Sequence, residues 1–499
     1  MALPLLVSLM YREFYSAVAF LLGGLITGAA GFLVYRLCRS AREPENKHGL
    51  LTAAAGWFTI AFFGALPFLI AGMITPLESA RAFVPHGETY ESSLTIMSNP
   101  LSALFESMSG YTCTGLTMAA NASSLGHGIL FYRSLTQWVG GIGMIVLALA
   151  ILRPPSGSQA VSLFASEIKS EKLRPSIIGT AQLVWKIYLA LTVLMAVYLL
   201  AGTMLIMPDY GFLRALFNAV NHAMTGMATG GFSVLDGSIG EYGSSAMELL
   251  HMLPMFLGAI SIAIYYKALE QRTFRAFWRD IQFRLLLVFS AVGMTSLGLL
   301  LYGAEGVGQP FIEAAFQYLS GMTTTGWQTS NIAAWPAEAI IFIIVAAMIV
   351  GGSIGSTVAG IKIIRVYWIL WGIRWKVMSA FLPRKTVQTA RIGGKVFNVR
   401  QINREISEAT IFASLFLLML ALGAILTLRF MGEGFSVANG LFESASAANV
   451  GLSTGITNSD MSPYLKGYYI LQMWAGRLEI IPVLVLIRSI FWGTRARRI

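Results

Sequence analysis

The string SGYTCTGLT, residues 109–117, sets hydroxyl-bearing side chains around a glycine between two apolar runs. It belongs to a stretch, LFESMSGYTCTGLT (104–117), whose layout recurs as VNHAMTGMATGGFS (220–233), AFQYLSGMTTTGWQTS (315–330) and LFESASAANVGLSTG (441–455). Each copy begins as a short amphipathic helix, turns into small polar residues and reaches a glycine: Gly115, Gly230, Gly326 and Gly451. A polar side chain precedes that glycine by nine positions in three copies (Glu106, Asn221, Gln317) and by eight in the fourth (Glu443). Such loops suit a dehydrated alkali cation, which needs oxygens in place of its water shell and obtains them from main-chain carbonyls. Pointing successive carbonyls inward requires dihedrals that glycine adopts without a Cβ penalty. Thr114, Thr229 and Thr325 stand just before three of the glycines and add oxygens, and Val450 holds that place in the fourth. The short helices would aim the negative ends of their dipoles at the ion. No acidic residue lies in the loops themselves, which favours a carbonyl-lined filter over the acidic ring expected for divalent ions.

Such loops need a membrane-embedded frame, and the composition supplies one. The 499 residues are 56% hydrophobic and only 12% charged, with a mean hydropathy of +0.67. A soluble protein of that balance could not cover its surface with polar groups. Apolar windows long enough to cross a bilayer fall near 15–37, 51–73, 128–152, 181–206, 247–268, 283–303, 337–360, 407–428 and 466–490. They are too long for barrel strands, so helices are expected. The net charge of +11 would suit a nucleic-acid partner, but loops 36–48, 153–186, 267–284, 362–404 and 488–499 hold 28 of the 35 Lys and Arg. The alternate loops carry acids such as Glu78, Asp209, Asp236, Glu241 and Glu305. That alternation is the positive-inside pattern: it puts the basic loops and the C-terminus in the cytoplasm and the N-terminus outside, with membrane lipids as the charge's partner and no nucleic acid. MALPLLVSLM lacks the charged start and cleavage site of a signal peptide. Cys38 and Cys113 form no disulfide framework, and five scattered histidines match no metal spacing. No nucleotide loop or catalytic triad order is found, so neither an enzyme nor a nucleotide site on this chain is expected.

Glycine, serine and threonine also mark close packing between membrane helices, and one TCTGLT alone would suit that role. Four copies, each between apolar windows on the face opposite the basic loops, ask for more. A helix of about 10–14 residues is too short to cross and is better read as re-entrant. The expected fold is an all-α polytopic membrane protein. Four pseudo-repeated units of helix, pore helix, filter loop and helix surround a central pore, with an extra N-terminal helix. The units fall at 50–155, 178–272, 280–378 and 405–499, preceded by an N-terminal element (1–49) and interrupted by a cytosolic linker (379–404).

These four loops, with FYRSLTQWVGGIGMIVLALAIL (131–152), ATGGFS (228–233), GGSIGSTVAGIKIIR (351–365) and GRLEIIPVLVL (476–486), resemble the TrkH-like potassium uptake proteins of the Trk/Ktr/HKT superfamily. The likeness runs from about residue 50 to the end and in part over 1–50. It implies a bacterial cytoplasmic (inner) membrane protein, a homodimer of single-chain pores, and a cytosolic ring of nucleotide-binding regulatory subunits of the TrkA type. In that superfamily four filter glycines accompany potassium permeation, whereas serine in the first loop accompanies sodium selectivity. The implied potassium filter is Cys113, Thr114, Gly115, Ala228, Thr229, Gly230, Thr324, Thr325, Gly326, Asn449, Val450 and Gly451. Two departures stand out. One complete span precedes the first pore unit where the family has two, so LPLLVSLMYRE is expected to be the tail of an otherwise missing helix. AANVGLSTG lacks the Asn-Asn and Gly-Pro-Gly pattern of many TrkH sequences and resembles the KtrB branch.

The seventh window contains VGGSIGSTVAG, where Gly351, Gly352, Gly355 and Gly360 stand among Ser353, Ser356 and Thr357. Glycines weaken a helix and hydroxyls satisfy freed carbonyls, so either a broken helix or a tight packing face fits. The resemblance favours an intramembrane gating loop, 350–360, beneath the filter. Arg477 and Glu479 lie within the last window, where charges are costly. Two residues apart on one helix, they would face different ways and not pair. Arg477 then either ties helices through carbonyls or, as the resemblance implies, gates the pore with the loop. The basic run 362–404 suits both membrane retention and docking of the cytosolic partner, as do loops 153–180 and 267–284. The resulting reading is potassium uptake through a gated channel-like filter. The rival is a proton- or sodium-coupled potassium symporter, which needs a titratable group in the path: Glu106, Glu313 and Glu443 are the candidates.

Overall fold

The computed structural model describes residues 1–39, 46–85, 87–143, 177–305, 307–381, 389–392 and 395–493. Two helices lead the chain, α1 (Ala2–Met10) and α2 (Phe14–Leu37). α2 is apolar all round and leaves Leu25, Phe32 and Val34 exposed, as a helix against lipid does. LPLLVSLMYRE thus forms most of α1, which packs on α2 and on the trailing helix of the first unit, His127–Ile142.

Four units of one design follow. The first runs through α3 (Asn46–Gly64) and α4 (Leu66–Ile74) to a short helix, α5 (Pro100–Tyr111), and then α6 (His127–Ile142). The second comprises α7 (Ile177–Ile206), short α8 (Phe212–Met227), α9 (Ser245–Gly258) and α10 (Ile262–Glu270). In the third, α11 (Ile281–Leu301) precedes short α12 (Pro310–Met322), α13 (Ala337–Ile343) and α14 (Ile363–Ser379). The fourth holds α15 (Val399–Phe430), short α16 (Val437–Ser446), α17 (Pro463–Arg477) and α18 (Ile481–Trp492). Local chemistry starts the short helices cleanly. The Asn99 side chain accepts from the Leu101 and Ser102 N–H groups and Pro100 takes the first turn, while Ser436 caps α16 by accepting from Asn439.

The leading helix of each unit is continuous or nearly so. Among the described residues, Phe14–Leu37, Gly49–Ile74, Gly179–Ile206, Ile281–Leu301 and Val399–Phe430 are long and apolar enough to cross a membrane. The trailing helices break instead: two of the nine expected spans are corrected, and the break in a third is expected from its glycines. α9 and α10 meet at 84°, and α17 and α18 at 115°, so windows 247–268 and 466–490 are bent pairs rather than rods. Window 337–360 is helical to Met348 through a π-helical turn, Ile344–Met348, and then leaves the helix altogether. α6 stops at Ile142, with Gly143 at φ 100°; the rest of window 128–152 lies outside the described residues. Hydropathy averages across such breaks, which cost little where protein rather than lipid surrounds them.

Among the described residues, strand structure is confined to two small ladders. β1 (Val350–Gly351) pairs in parallel with β2 (Ile361–Lys362), pinching off the loop between them. β3 (Thr389–Ile392) and β4 (Lys395–Asn398) form an antiparallel hairpin within the expected linker, and Phe397 packs edge-on against Trp368 of α14. A capping box of Asn398 and Gln401 then opens α15. The core lies between the units, around fully buried Trp57, Phe105, Phe316 and Trp327.

Candidate cation-binding site

The four loops that follow the short helices meet one another in a closed ring. At the end of each short helix one residue turns left-handed: Cys113 (φ 56°), Thr229 (49°), Thr324 (48°) and Asn449 (74°). Two residues later a glycine does the same: Gly115 (92°), Gly231 (82°), Gly326 (87°) and Gly451 (92°). Between them stand Thr114, Gly230, Thr325 and Val450, none with a positive φ. A Cβ on Gly115 would collide with the Gly230 carbonyl oxygen, one on Gly231 with that of Thr325, one on Gly326 with that of Val450, and one on Gly451 with that of Thr114. Each loop thus abuts the next in chain order, and the fourth closes on the first. Only glycine fits these positions on both counts, backbone hand and space.

The ring corrects the register expected for the second loop. Gly231, not Gly230, is the counterpart of Gly115, Gly326 and Gly451. Gly230 corresponds to Thr114, Thr229 to Cys113, and Ala228 falls one step back at the helix end. The adjacent glycines hid this in the sequence. The signal was the large apolar residue after each true counterpart, Leu116, Phe232, Trp327 and Leu452, all buried. The same shift replaces Asn221 by His222 as the polar residue nine positions upstream.

Those upstream residues hold the loops' outgoing strands. Buried Glu106 accepts from the Thr117 hydroxyl at 2.9 Å and the Met118 N–H at 2.9 Å, and Glu443 from the Ser453 hydroxyl at 2.8 Å and the Thr454 N–H at 2.8 Å. His222 meets the Ser233 hydroxyl at 3.1 Å. With its amide oxygen facing the loop, Gln317 accepts from the Thr329 N–H at 2.6 Å. Glu106 is also ion-paired at 2.7 Å with buried Arg133, which donates to the Ser233 carbonyl and lies over the Phe232 ring, joining the first loop to the second. Gln137 grips the second loop from α6, donating to the Gly230 carbonyl and accepting from the Phe232 N–H. The Ser109 and Ser446 hydroxyls receive the N–H groups of Gly115 and Gly451. Arg133, Gln137, Ser109 and Ser446 carry no motif of their own and were not legible as site residues.

Beyond the glycines the ring opens into a cavity of about 470 Å³ lined by Gly115, Gly231, Gly326, Gly451 and the strands after them. On its other side lies the loop 350–360, over a smaller cavity of about 100 Å³ lined also by Trp57, Gly141 and Arg477. The loop is not a glycine packing face on a helix. Gly351 lies in the β1–β2 ladder, Gly352 accepts from the Ile363 N–H, and Gly355 (φ 77°) and Gly360 (φ 74°) make its turns. Ser353 donates its N–H to Ala259 at the α9–α10 bend, and Ser356 bonds back to Ser353. Thr357 touches the ring itself, its hydroxyl 2.9 Å from that of Thr229, and the Ala359 N–H donates to the Thr324 hydroxyl at 3.0 Å.

Arg477 ends α17 and reaches three carbonyls: Thr357 of the loop at 2.8 Å, and Gly140 and Gly141 of α6 at 2.6 Å each. It is a tie between units and also a contact of the loop. Glu479 is not on the same helix. Helix α17 has ended, Glu479 (φ 62°) and Ile480 (φ 66°) are left-handed, and Glu479 pairs with Arg365 of α14 at 2.7 Å.

Comparison with known proteins matches residues 52–492 to the TrkH family, described as a cation transport protein. The chain belongs to the TrkH family. It is 32% identical to the Trk system potassium uptake protein TrkH of Halomonas elongata, over 98% of this chain and 95% of that one. To the protein of the same name from Escherichia coli K12 it is 30% identical, over 99% and 95%. An uncharacterized cation transporter of Methanocaldococcus jannaschii is 30% identical over 98% and 92%. The crystal structure of the potassium transporter TrkH from Vibrio parahaemolyticus superposes with a TM-score of 0.78 at 26% identity, covering 98% of this chain and 95% of that one. This TrkH-family chain is therefore a membrane transport protein and not an enzyme.

The anchors predict unequal costs. Glu106→Gln strands the buried Arg133 charge and should destabilise the protein by about 3–5 kcal/mol. Glu443→Gln, whose partners are neutral donors among the described residues, should cost about 1–2 kcal/mol. Denaturant unfolding of the purified variants in detergent measures both. Equal losses would mean that the ion pair is not what makes Glu106 irreplaceable.

Proposed function

We propose that the chain carries potassium into the cell through the ring of four loops, which acts as a selectivity filter. Support comes from relatives named as potassium uptake proteins and above all from the closed ring of Thr114, Gly230, Thr325 and Val450 carbonyls against Gly231, Gly326, Gly451 and Gly115. The ligands for the ion are these carbonyls with those of the neighbouring left-handed residues. Inward movement follows the membrane potential: −100 mV contributes about 2.3 kcal/mol per monovalent cation, roughly a fiftyfold concentration ratio. The hydrogen bonds of its three candidates weigh against the symporter reading. Glu106 and Glu443 are fully engaged in holding loops, and Glu313 accepts from Gly308 and Gln309 at the start of α12.

The loop 350–360 is the gate in this reading, and Arg477 is its latch. Bonds from Thr357 and Ala359 to the ring hold it shut, and helix α14 is the lever that withdraws it. The lever leads to the hairpin β3–β4, on the basic, cytoplasmic side with the C-terminus, where a nucleotide-binding regulatory ring would pull. The chain functions as a homodimer with each pore complete in itself.

Rubidium and sodium flux into proteoliposomes at clamped potential tests the reading. Saturable rubidium uptake that exceeds sodium and survives removal of a pH gradient is expected; uptake abolished with the gradient would favour the carrier. In the same assay Gly231→Ala should cost at least ~10-fold in rubidium uptake, and Gly230→Ala, where φ is not positive and the Cβ meets a side chain rather than backbone, clearly less. The reverse order would return the register to Gly230. Arg477→Ala should raise flux severalfold at matched reconstitution, and unchanged or lower flux would leave it a structural tie alone.

A further inference from the structure

We infer that Asp236 is the fixed charge that concentrates cations at the mouth of the filter. The inference rests on the transport reading above and adds a residue to it. Among the residues lining the 470 Å³ cavity, two have ionisable side chains: Arg133 and Asp236. Arg133 is neutralised by Glu106, 2.7 Å away and fully buried. The described partners of Asp236 are neutral donors, the Ser123 N–H at 2.7 Å, the Ser123 hydroxyl at 2.8 Å and the Tyr90 hydroxyl at 3.0 Å. They fix the carboxylate in place and leave its charge uncancelled.

Symmetry sharpens the point. Asp236 stands five residues after Gly231, and the same step in the other loops gives Ala120, Asn331 and Ile456. The acid is thus an addition to one unit and not a requirement of the repeated fold. It is exposed, on the rim of a concave wall whose other lining groups are mostly neutral. One charge at such a mouth raises the local concentration of cations, and salt screens the effect: the Debye length is about 30 Å at 0.01 M and about 8 Å at 0.15 M. The plain alternative is that Asp236 merely clamps the second loop to Ser123 and Tyr90 of the first unit.

Ionic strength separates the two. Initial rubidium uptake by the full chain in proteoliposomes is measured at subsaturating rubidium, with N-methylglucamine chloride setting the ionic strength. Asp236→Asn keeps an acceptor for Ser123 and removes the charge. It should lower uptake about two- to threefold at ~10 mM ionic strength, through KM rather than maximal rate, and the difference should vanish near ~0.5 M. Asn331→Asp, placed at the equivalent step of the third loop, should restore low-salt uptake in the Asp236→Asn background. No low-salt defect, a defect equal at all ionic strengths, or failure of the relocated charge to rescue would each overturn the inference. A wild type that takes up no rubidium at any salt would instead remove the transport reading itself, which the ratio of variant to wild type does not address.

Discussion

Main-chain groups that leave a helix within the hydrocarbon layer must find partners in protein, because lipid offers none. Most of what is unusual in this chain follows from how that demand is met. The short helices stop inside the protein, and their loops are accommodated by buried side chains such as Glu106, Glu443, Ser109 and Ser446. The trailing helices break where the loop 350–360 passes, and the freed groups are taken up by that loop and by Arg477. The ring and the loop 350–360 are therefore one hydrogen-bonded body: Thr229 and Thr324 belong to the ring and also bond the loop. A change at either should be felt at the other.

Charge follows the same economy. Buried ions appear where a loop needs more than a neutral acceptor can give. The Arg133–Glu106 pair links the first two loops, and Arg365–Glu479 joins α14 to the break between α17 and α18. Neither pair lies among the carbonyls of the ring, which leaves that ring uncharged. An uncharged cage of dipoles suits a monovalent ion that must also leave again.

Much of this was legible in the sequence. The apolar windows and the four repeats stood out from composition and spacing, because bilayer thickness and glycine chemistry leave plain marks, whereas a gating role for 350–360 and Arg477 came from the family resemblance. What the sequence concealed has physical reasons. Hydropathy is blind to a bend, so α9–α10 and α17–α18 read as single rods, and Glu479 seemed to share a helix with Arg477. Two adjacent glycines made the second loop ambiguous, and only the left-handed φ of Thr229 and Gly231 fixes its register. Gln137 and Arg133 act across the chain, on Gly230 and Ser233, a relation no local pattern encodes.

The central claim is that main-chain oxygens from all four repeats face a single monovalent ion. Anomalous diffraction from crystals of the full chain grown in rubidium tests it most directly. The account predicts a peak on the axis between the carbonyls of Thr114, Gly230, Thr325 and Val450. A ring without a peak, with rubidium found instead beside Glu106 or Glu443, would contradict it.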